Sequence, residues 1–102
     1  VVTRRDLSNG YQAVQSMHAA IQFAFEHKDI VGDWYQTSNY LGLLSVANES
    51  ELEQLVEQAK RNNIRFSVFK EPDIDNQITA IAFEPGIHSK KLCSKLKLAL
   101  KE

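Results

Sequence analysis

The sequence predicts one α/β domain spanning residues 1–102, a mixed four-stranded sheet flanked by helices on both faces. Three observations predict it. Strand-like and helix-like segments alternate along 102 residues, a length that supports one hydrophobic core and leaves no room for a second. The apolar run at 40–46 lacks polar alternation, as suits a strand covered on both sides. The composition is globular, with 43% hydrophobic and 25% charged residues and only four Gly and two Pro.

The elements follow in order. Residues 1–4 form a short strand, and the loop at 6–10 ends in a helix-start signal, because Asn9 and Gln12 have capping-box spacing. A helix runs over 11–27 without Gly or Pro. Residues 29–38 are irregular or a short helical turn, and a strand follows at 40–46. Asn48 and Glu51 form a second capping-box pair, with Leu52, Leu55, Val56 and Ala59 at helical spacing behind it. Asn62 and Asn63 end that helix. Strands at 64–69 and 78–83 flank an acidic loop at 71–76 that contains Pro72. Glu84, Pro85 and Gly86 make a turn. From Ser89 a last helix sets Leu92, Cys93, Leu96, Ala99 and Leu100 within an arc of about 120°. The order is βα(α)βαββα.

Charge and cysteine content exclude several classes. Twelve Lys and Arg against thirteen Asp and Glu leave a net charge of −1, too little for a domain that coats nucleic acid through bulk positive charge. Any RNA contact must be local. Cys93 is the only cysteine, which excludes an internal disulfide and makes a reducing, cytoplasmic setting the expectation. No apolar run approaches the roughly 18 residues of a membrane span. The chain opens on Val1 without Met, so trimming or disorder ahead of it is expected. His18, His27 and His88 lack metal-ligand spacing, so no metal or other cofactor is expected. Cys93 falls on the apolar arc of the last helix, the place of an inert core thiol.

Three groups could carry chemistry. On the first helix, Ala13, Val14, Met17, Ala20, Ile21, Ala24 and Phe25 share a wide apolar arc, the expected core face, and Phe23 falls outside it. Tyr11, Gln15, His18 and Gln22 line its edge at i, i+4, i+7 and i+11, where the helix N-terminus also favours an anion. The alternative is a solvated edge with a boundary histidine. In the acidic loop, a carboxylate beyond a strand end acts as a general base if its pKa is raised toward neutrality, although Pro, Asp and Asn are also ordinary turn residues. Lys90, Lys91, Lys95, Lys97 and Lys101 lie outside the apolar arc of the last helix, either as a solvated face or as a phosphate-holding patch. Trp34 and Tyr35 read as a core anchor more readily than as a base-stacking pair.

The run Arg4-Arg5-Asp6-Leu7, followed by Gly10-Tyr11-Gln12-Ala13-Val14-Gln15-Ser16-Met17-His18-Ala19-Ala20, resembles the type II peptidyl-tRNA hydrolases. There R-x-D-L precedes a G-K-x-A-A-Q-x-x-H-A-A segment. The resemblance extends through Trp34, the strand ending at Val46, Ile64-Arg65-Phe66-Ser67-Val68, Ile81-Ala82-Phe83-Glu84-Pro85 and the leucine-lysine C-terminal segment. It implies a metal-free hydrolysis of the ester joining a peptide to the 3′ end of tRNA, peptidyl-tRNA or tRNA as partner, and a homodimer. Carried over by residue, it implies Tyr11, Glu71 and His18 as catalytic. It implies Gln15 as a substrate contact, to which the helix start adds Asn9 and Gly10 and the lysine face adds Lys91 and Lys95. Two departures stand out: Tyr11 replaces the family's lysine, and the Gly-Arg-Thr that follows the family's aspartate is missing after Glu71. The alternative they leave open is a noncatalytic member that binds tRNA ends, a peptide or a protein partner.

Overall fold

A computed structural model describes residues 1–101. The order is β1 (Val2–Arg4), α1 (Asn9–Glu26), α2 (Lys28–Gln36), β2 (Leu44–Val46), α3 (Glu49–Arg61), β3 (Phe66–Glu71), β4 (Gln77–Phe83), α4 (Ile87–Leu92) and β5 (Lys97–Leu98). A 3₁₀ turn, Pro72–Ile74, joins β3 to β4. The sheet order is β3-β4-β1-β2-β5. Only β1 and β2 run parallel, which places α1 and α2 in the crossover between them.

Each face of the sheet has its own core. On one, Ala19 and Phe23 of α1, with Ile30 and Val31 of α2, pack against Phe69, Ala80 and Ala82. On the other, Leu52 and Leu55 of α3, joined by Leu92, Cys93 and Leu96, cover Val2, Val46 and Ile81. The domain is therefore α/β with a mixed sheet and helices on both faces. The sheet has five strands rather than four.

Helix α3 forms as its residues dictate. The Asn48 side chain accepts the Glu51 N–H at 3.1 Å, while the Glu51 carboxylate accepts the Ala47 N–H at 2.7 Å. Both occupy polar groups that the helix start leaves unpaired. At the other end Asn63 takes φ 55, so the Ile64 N–H reaches the Ala59 carbonyl and the Asn63 N–H the Lys60 carbonyl.

Four expectations change. The second strand is only Leu44–Val46, and Tyr40 and Leu41 before it are exposed rather than covered. Residues 28–36 make a full helix, which Trp34 ties to the following loop through Nε1–H to the Tyr40 carbonyl at 2.8 Å. The last helix stops at Leu92 instead of running to the C-terminus. Continuing it would stack Lys91 on Lys95 at i, i+4, whereas leaving it lets Lys97–Leu98 pair with the outer edge of β2 and Ala99 N–H bond the Leu43 carbonyl at 3.0 Å.

The fourth change is the largest. Helix α1 starts at Asn9 with Ser8 as its N-cap residue, so the Asn9–Gln12 capping box does not form. Gln12 is buried and its amide donates to the Leu7 carbonyl at 2.7 Å. The helix is also turned over. Gln12, Gln15, Ser16, Ala19 and Phe23 face the sheet, and Val14, Met17, Ile21 and Phe25 face solvent. The sheet beneath α1 presents small residues, Thr79, Ala80 and Ala82. One large side chain of the helix, Phe23, fills the remaining space; the Gln15 amide is bonded at both ends and Gln12 through its N–H, while Gln12 Oε1 is buried without a partner.

Candidate functional site

Arg4 sets the frame. Its guanidinium holds Asp6 bidentately, Nε to Oδ1 and Nη2 to Oδ2 both at 2.8 Å. Its Nη1 also donates to Gln77 Oε1 at 2.9 Å and to the Ile78 carbonyl at 3.0 Å. One buried cation thus ties the loop before α1 to the start of β4, and Glu49 of α3 accepts the Ile78 N–H at 2.8 Å beside it. Such fork-shaped bonding is what arginine provides and lysine does not. The arginine and aspartate of the R-x-D-L run fix where the α1 N-terminus meets the β3–β4 turn.

A β-bulge then aims one side chain. Phe69 pairs with Ala80 and Lys70 with Ile78, so β4 carries one extra residue, Thr79, at that point. Without it, alternation would point Thr79 and Ala80 to opposite faces. With it, Ile78 packs on the α3 side while Thr79 reaches α1.

Thr79 Oγ1–H donates to Gln15 Oε1 at 2.5 Å, and Gln15 Nε2–H donates to Glu71 Oε1 at 3.0 Å. The Asp73 N–H donates to Glu71 Oε2 at 3.1 Å. Only one orientation of the Gln15 amide works, because its oxygen against the Glu71 carboxylate would set two acceptors together. Gln15 is 1% exposed, and a buried amide is tolerated only when bonded in this way.

Around this chain lie the other groups. His18, one turn beyond Gln15, stacks flat on Phe69 with ring centroids 4.4 Å apart. Tyr11, one turn before it, stands beside Glu71 and Asp73. Partial burial, then the charges of Glu71 and Asp73, hold its phenol above the usual tyrosine pKa, so it stays a neutral O–H donor. The Asp73 N–H and the Gln15 amide, with His18 adding to them, hold the Glu71 carboxyl below the usual glutamate range against the opposing effect of burial. The shift expected of a raised-pKa base therefore runs the other way: Glu71 is an oriented carboxylate. At the helix start Asn9 and Gly10 are exposed, no side chain caps the first N–H groups, and the first turn holds no acid.

The structure thus brings Tyr11, Gln15, His18 and Glu71 together, with Asn9 and Gly10 at the same corner. Gln15 is buried, and its amide bonds Thr79 and Glu71. Lys91 and Lys95 are not brought to this corner, since their segment packs with α3 on the opposite face of the sheet. Thr79 and Phe69 take part without having been singled out from the sequence. Thr79 could have been noticed as a lone polar residue inside the apolar strand. No group of three or more His, Cys, Asp or Glu side chains able to hold a metal occurs among the described residues. No helix among them is long and apolar enough to cross a membrane.

Fold and site together define a small α/β protein whose polar corner combines a helix N-terminus, a phenol and a hydrogen-bonded carboxylate. The chain belongs to the family described as peptidyl-tRNA hydrolase PTH2, which it matches over residues 1–99. No protein in the curated collection matches it.

Proposed function

We propose that the protein hydrolyses the ester between a peptide and the 3′ oxygen of tRNA, acting in the cytoplasm during translation. One observation carries this reading: Glu71 is held by Gln15 and the Asp73 N–H beside Tyr11 at the open N-terminus of α1. In this mechanism a water oxygen attacks the acyl carbon, and Glu71 orients the water and accepts its proton as the new bond forms. The Tyr11 O–H and the free N–H groups of the first turn, at Asn9 and Gly10, stabilise the oxyanion. The acyl–oxygen bond then breaks, and the proton passes to the departing 3′ oxygen. The products are the free peptide acid and tRNA with its hydroxyl restored. His18, exposed and stacked, offers a ring face to the 3′-terminal base. Lys91 and Lys95 enter only as contacts to RNA backbone away from the ester.

Release of peptide from a model peptidyl-tRNA, followed against pH, tests the proposal. Turnover is expected with its acid limb below the ordinary glutamate value of about 4.3, because Glu71 is shifted down. Tyr11→Phe should lower the rate by roughly 10²-fold, the usual cost of one oxyanion donor. A wild-type protein that binds peptidyl-tRNA without turning it over supports the second reading, a noncatalytic binder. That reading draws on Tyr11, a neutral group beside two carboxylates where the family has a cation.

A further inference from the structure

The end of the sheet away from Glu71 carries a different surface. β2 begins there, β4 ends there, and β5, antiparallel to β2, runs toward it. At this end Tyr40, Leu41, Ile87 and Leu98 are 76%, 69%, 74% and 58% exposed. Lys90 Nζ sits 5.8 Å from the centre of the Tyr40 ring. Ile87 lies one turn before Lys90 and Lys91 on α4, and the three line one shallow hollow. Leu98 pairs with Leu44 and so shares the sheet face on which α4 packs, and the Ala99 N–H after it bonds the Leu43 carbonyl.

Charge is segregated at the same end. From Pro85 to Lys101 the chain carries five lysines and no Asp or Glu, and from Trp34 to Asn48 it carries no charged residue, although its overall net charge is −1. Asp29 and Asp33 of α2, across a groove from Pro85 and Gly86, mark one border of the patch. We infer that this end is a docking face for the surface of a bilayer rich in anionic phospholipid.

The mixture of residues favours this occupant. A nucleic-acid backbone takes up the ammonium groups and gains nothing from bare aliphatic side chains beside them. A bilayer uses both. Ile87, Leu41 and Leu98 enter the boundary between headgroups and acyl chains, while the Lys90 and Lys91 stems lie along it and turn their ammonium groups to the lipid phosphates. Tyr40, an apolar ring with a polar tip, suits the same depth. Each lysine near an anionic leaflet strengthens attachment roughly fivefold, and the inserted side chains supply the second of the two signals that stable attachment requires. Docked in this way, the Glu71 corner faces away from the lipid, so the inference stands apart from the proposed reaction. Lys91, a contact to RNA in that reaction, is covered in the docked state.

Cosedimentation with vesicles made of equal parts phosphatidylserine and phosphatidylcholine, beside vesicles of phosphatidylcholine alone, tests the face. Circular dichroism checks that each variant is folded. The wild-type protein should bind the mixed vesicles and not the neutral ones. Ile87→Ser should weaken binding about tenfold, since an inserted aliphatic side chain is lost. Joint replacement Lys90→Gln and Lys91→Gln should weaken it roughly 25-fold. Two controls should bind as wild type does: Met17→Ser, which alters the exposed side of α1, and Lys70→Gln, which removes a lysine at the Glu71 end of the sheet. A wild-type protein that ignores the mixed vesicles overturns the inference. So does binding that is indifferent to Ile87→Ser, binding that Met17→Ser abolishes, or a double lysine variant that loses affinity for tRNA while keeping its affinity for vesicles.

Discussion

Helices α1 and α3 lie on opposite faces of the same sheet, and they use their side chains in opposite ways. In α3 the apolar residues Leu52, Leu55 and Ala59 are buried, and Glu53, Glu57, Lys60 and Arg61 face outward. In α1 the buried line includes two glutamines and a serine, while the large apolar residues are exposed. The α3 pattern is what burial alone dictates. In the α1 pattern the inner side holds Glu71 through Gln15, and the outer side leaves Val14, Met17, Ile21 and Phe25 exposed. A helix that breaks the burial rule in both directions is where a functional site is looked for first, and the proposed site lies on it.

Substitution on the two helices sharpens the contrast. Leu52→Ala in α3 removes a fully buried side chain from the larger core and should cost about 2–5 kcal/mol. Ile21→Ala, the same kind of truncation on the outer side of α1, should change the stability of the isolated chain by no more than about 0.5 kcal/mol. Chemical denaturation of the two variants makes the comparison. Equal losses would mean that the outer side of α1 is packed after all.

The inner side of α1 comes next in size. Thr79→Val keeps the shape of the side chain but removes the hydroxyl that fixes the Gln15 amide. It should cost about 1–3 kcal/mol by leaving a buried acceptor unpaired. Because the amide would then no longer hold Glu71, kcat should fall with KM little changed. A purely structural Thr79 would lower stability and leave kcat intact.

Reading α3 from sequence succeeded because local rules decide it. Asn48, Glu51 and Asn63 act within a few residues of one another, and the apolar spacing coincides with the buried face. The α/β class and the mixed sheet were legible for the same reason. The orientation of α1 was not, because it depends on a bulge in β4 that sends Thr79 to the α1 side, a long-range register that periodicity does not encode. Nor was β5, whose two residues form a strand only because β2 offers an open edge. Of the site, the strip Tyr11, Gln15 and His18 was legible as spacing on one helix. The burial of Gln15 between Thr79 and Glu71 was not, since it depends on where β3 and β4 place those two residues. Lys91 and Lys95 lie apart from the Tyr11–Glu71 corner because the chain carries their segment across to the α3 face.

The smallest expected effect concerns the frame that holds α1 in place. Asp6 is held below the usual aspartate range by hydrogen bonds from Arg4 and by its charge. Its contribution to stability is therefore complete above the unfolded pKa of about 3.9 and is lost as pH falls through the lower folded value. Because Asp6 is partly exposed, Asp6→Asn should cost only about 1 kcal/mol or less at neutral pH. The difference from wild type should vanish in strong acid. A melting-temperature series against pH for the two proteins checks the direction, and a gap that widens toward low pH would reverse the assignment.

The central claim is that the polar inner side of α1 serves to present the Glu71 carboxylate to an ester. Single-turnover release of peptide from peptidyl-tRNA by Glu71→Gln beside wild type tests it most directly. The amide keeps the size of the side chain and removes its charge and basicity. The account predicts turnover by the wild-type protein and a loss of roughly 10²–10⁴-fold in the variant, the range of general-base contributions. A Glu71→Gln protein that releases peptide at the wild-type rate would contradict it.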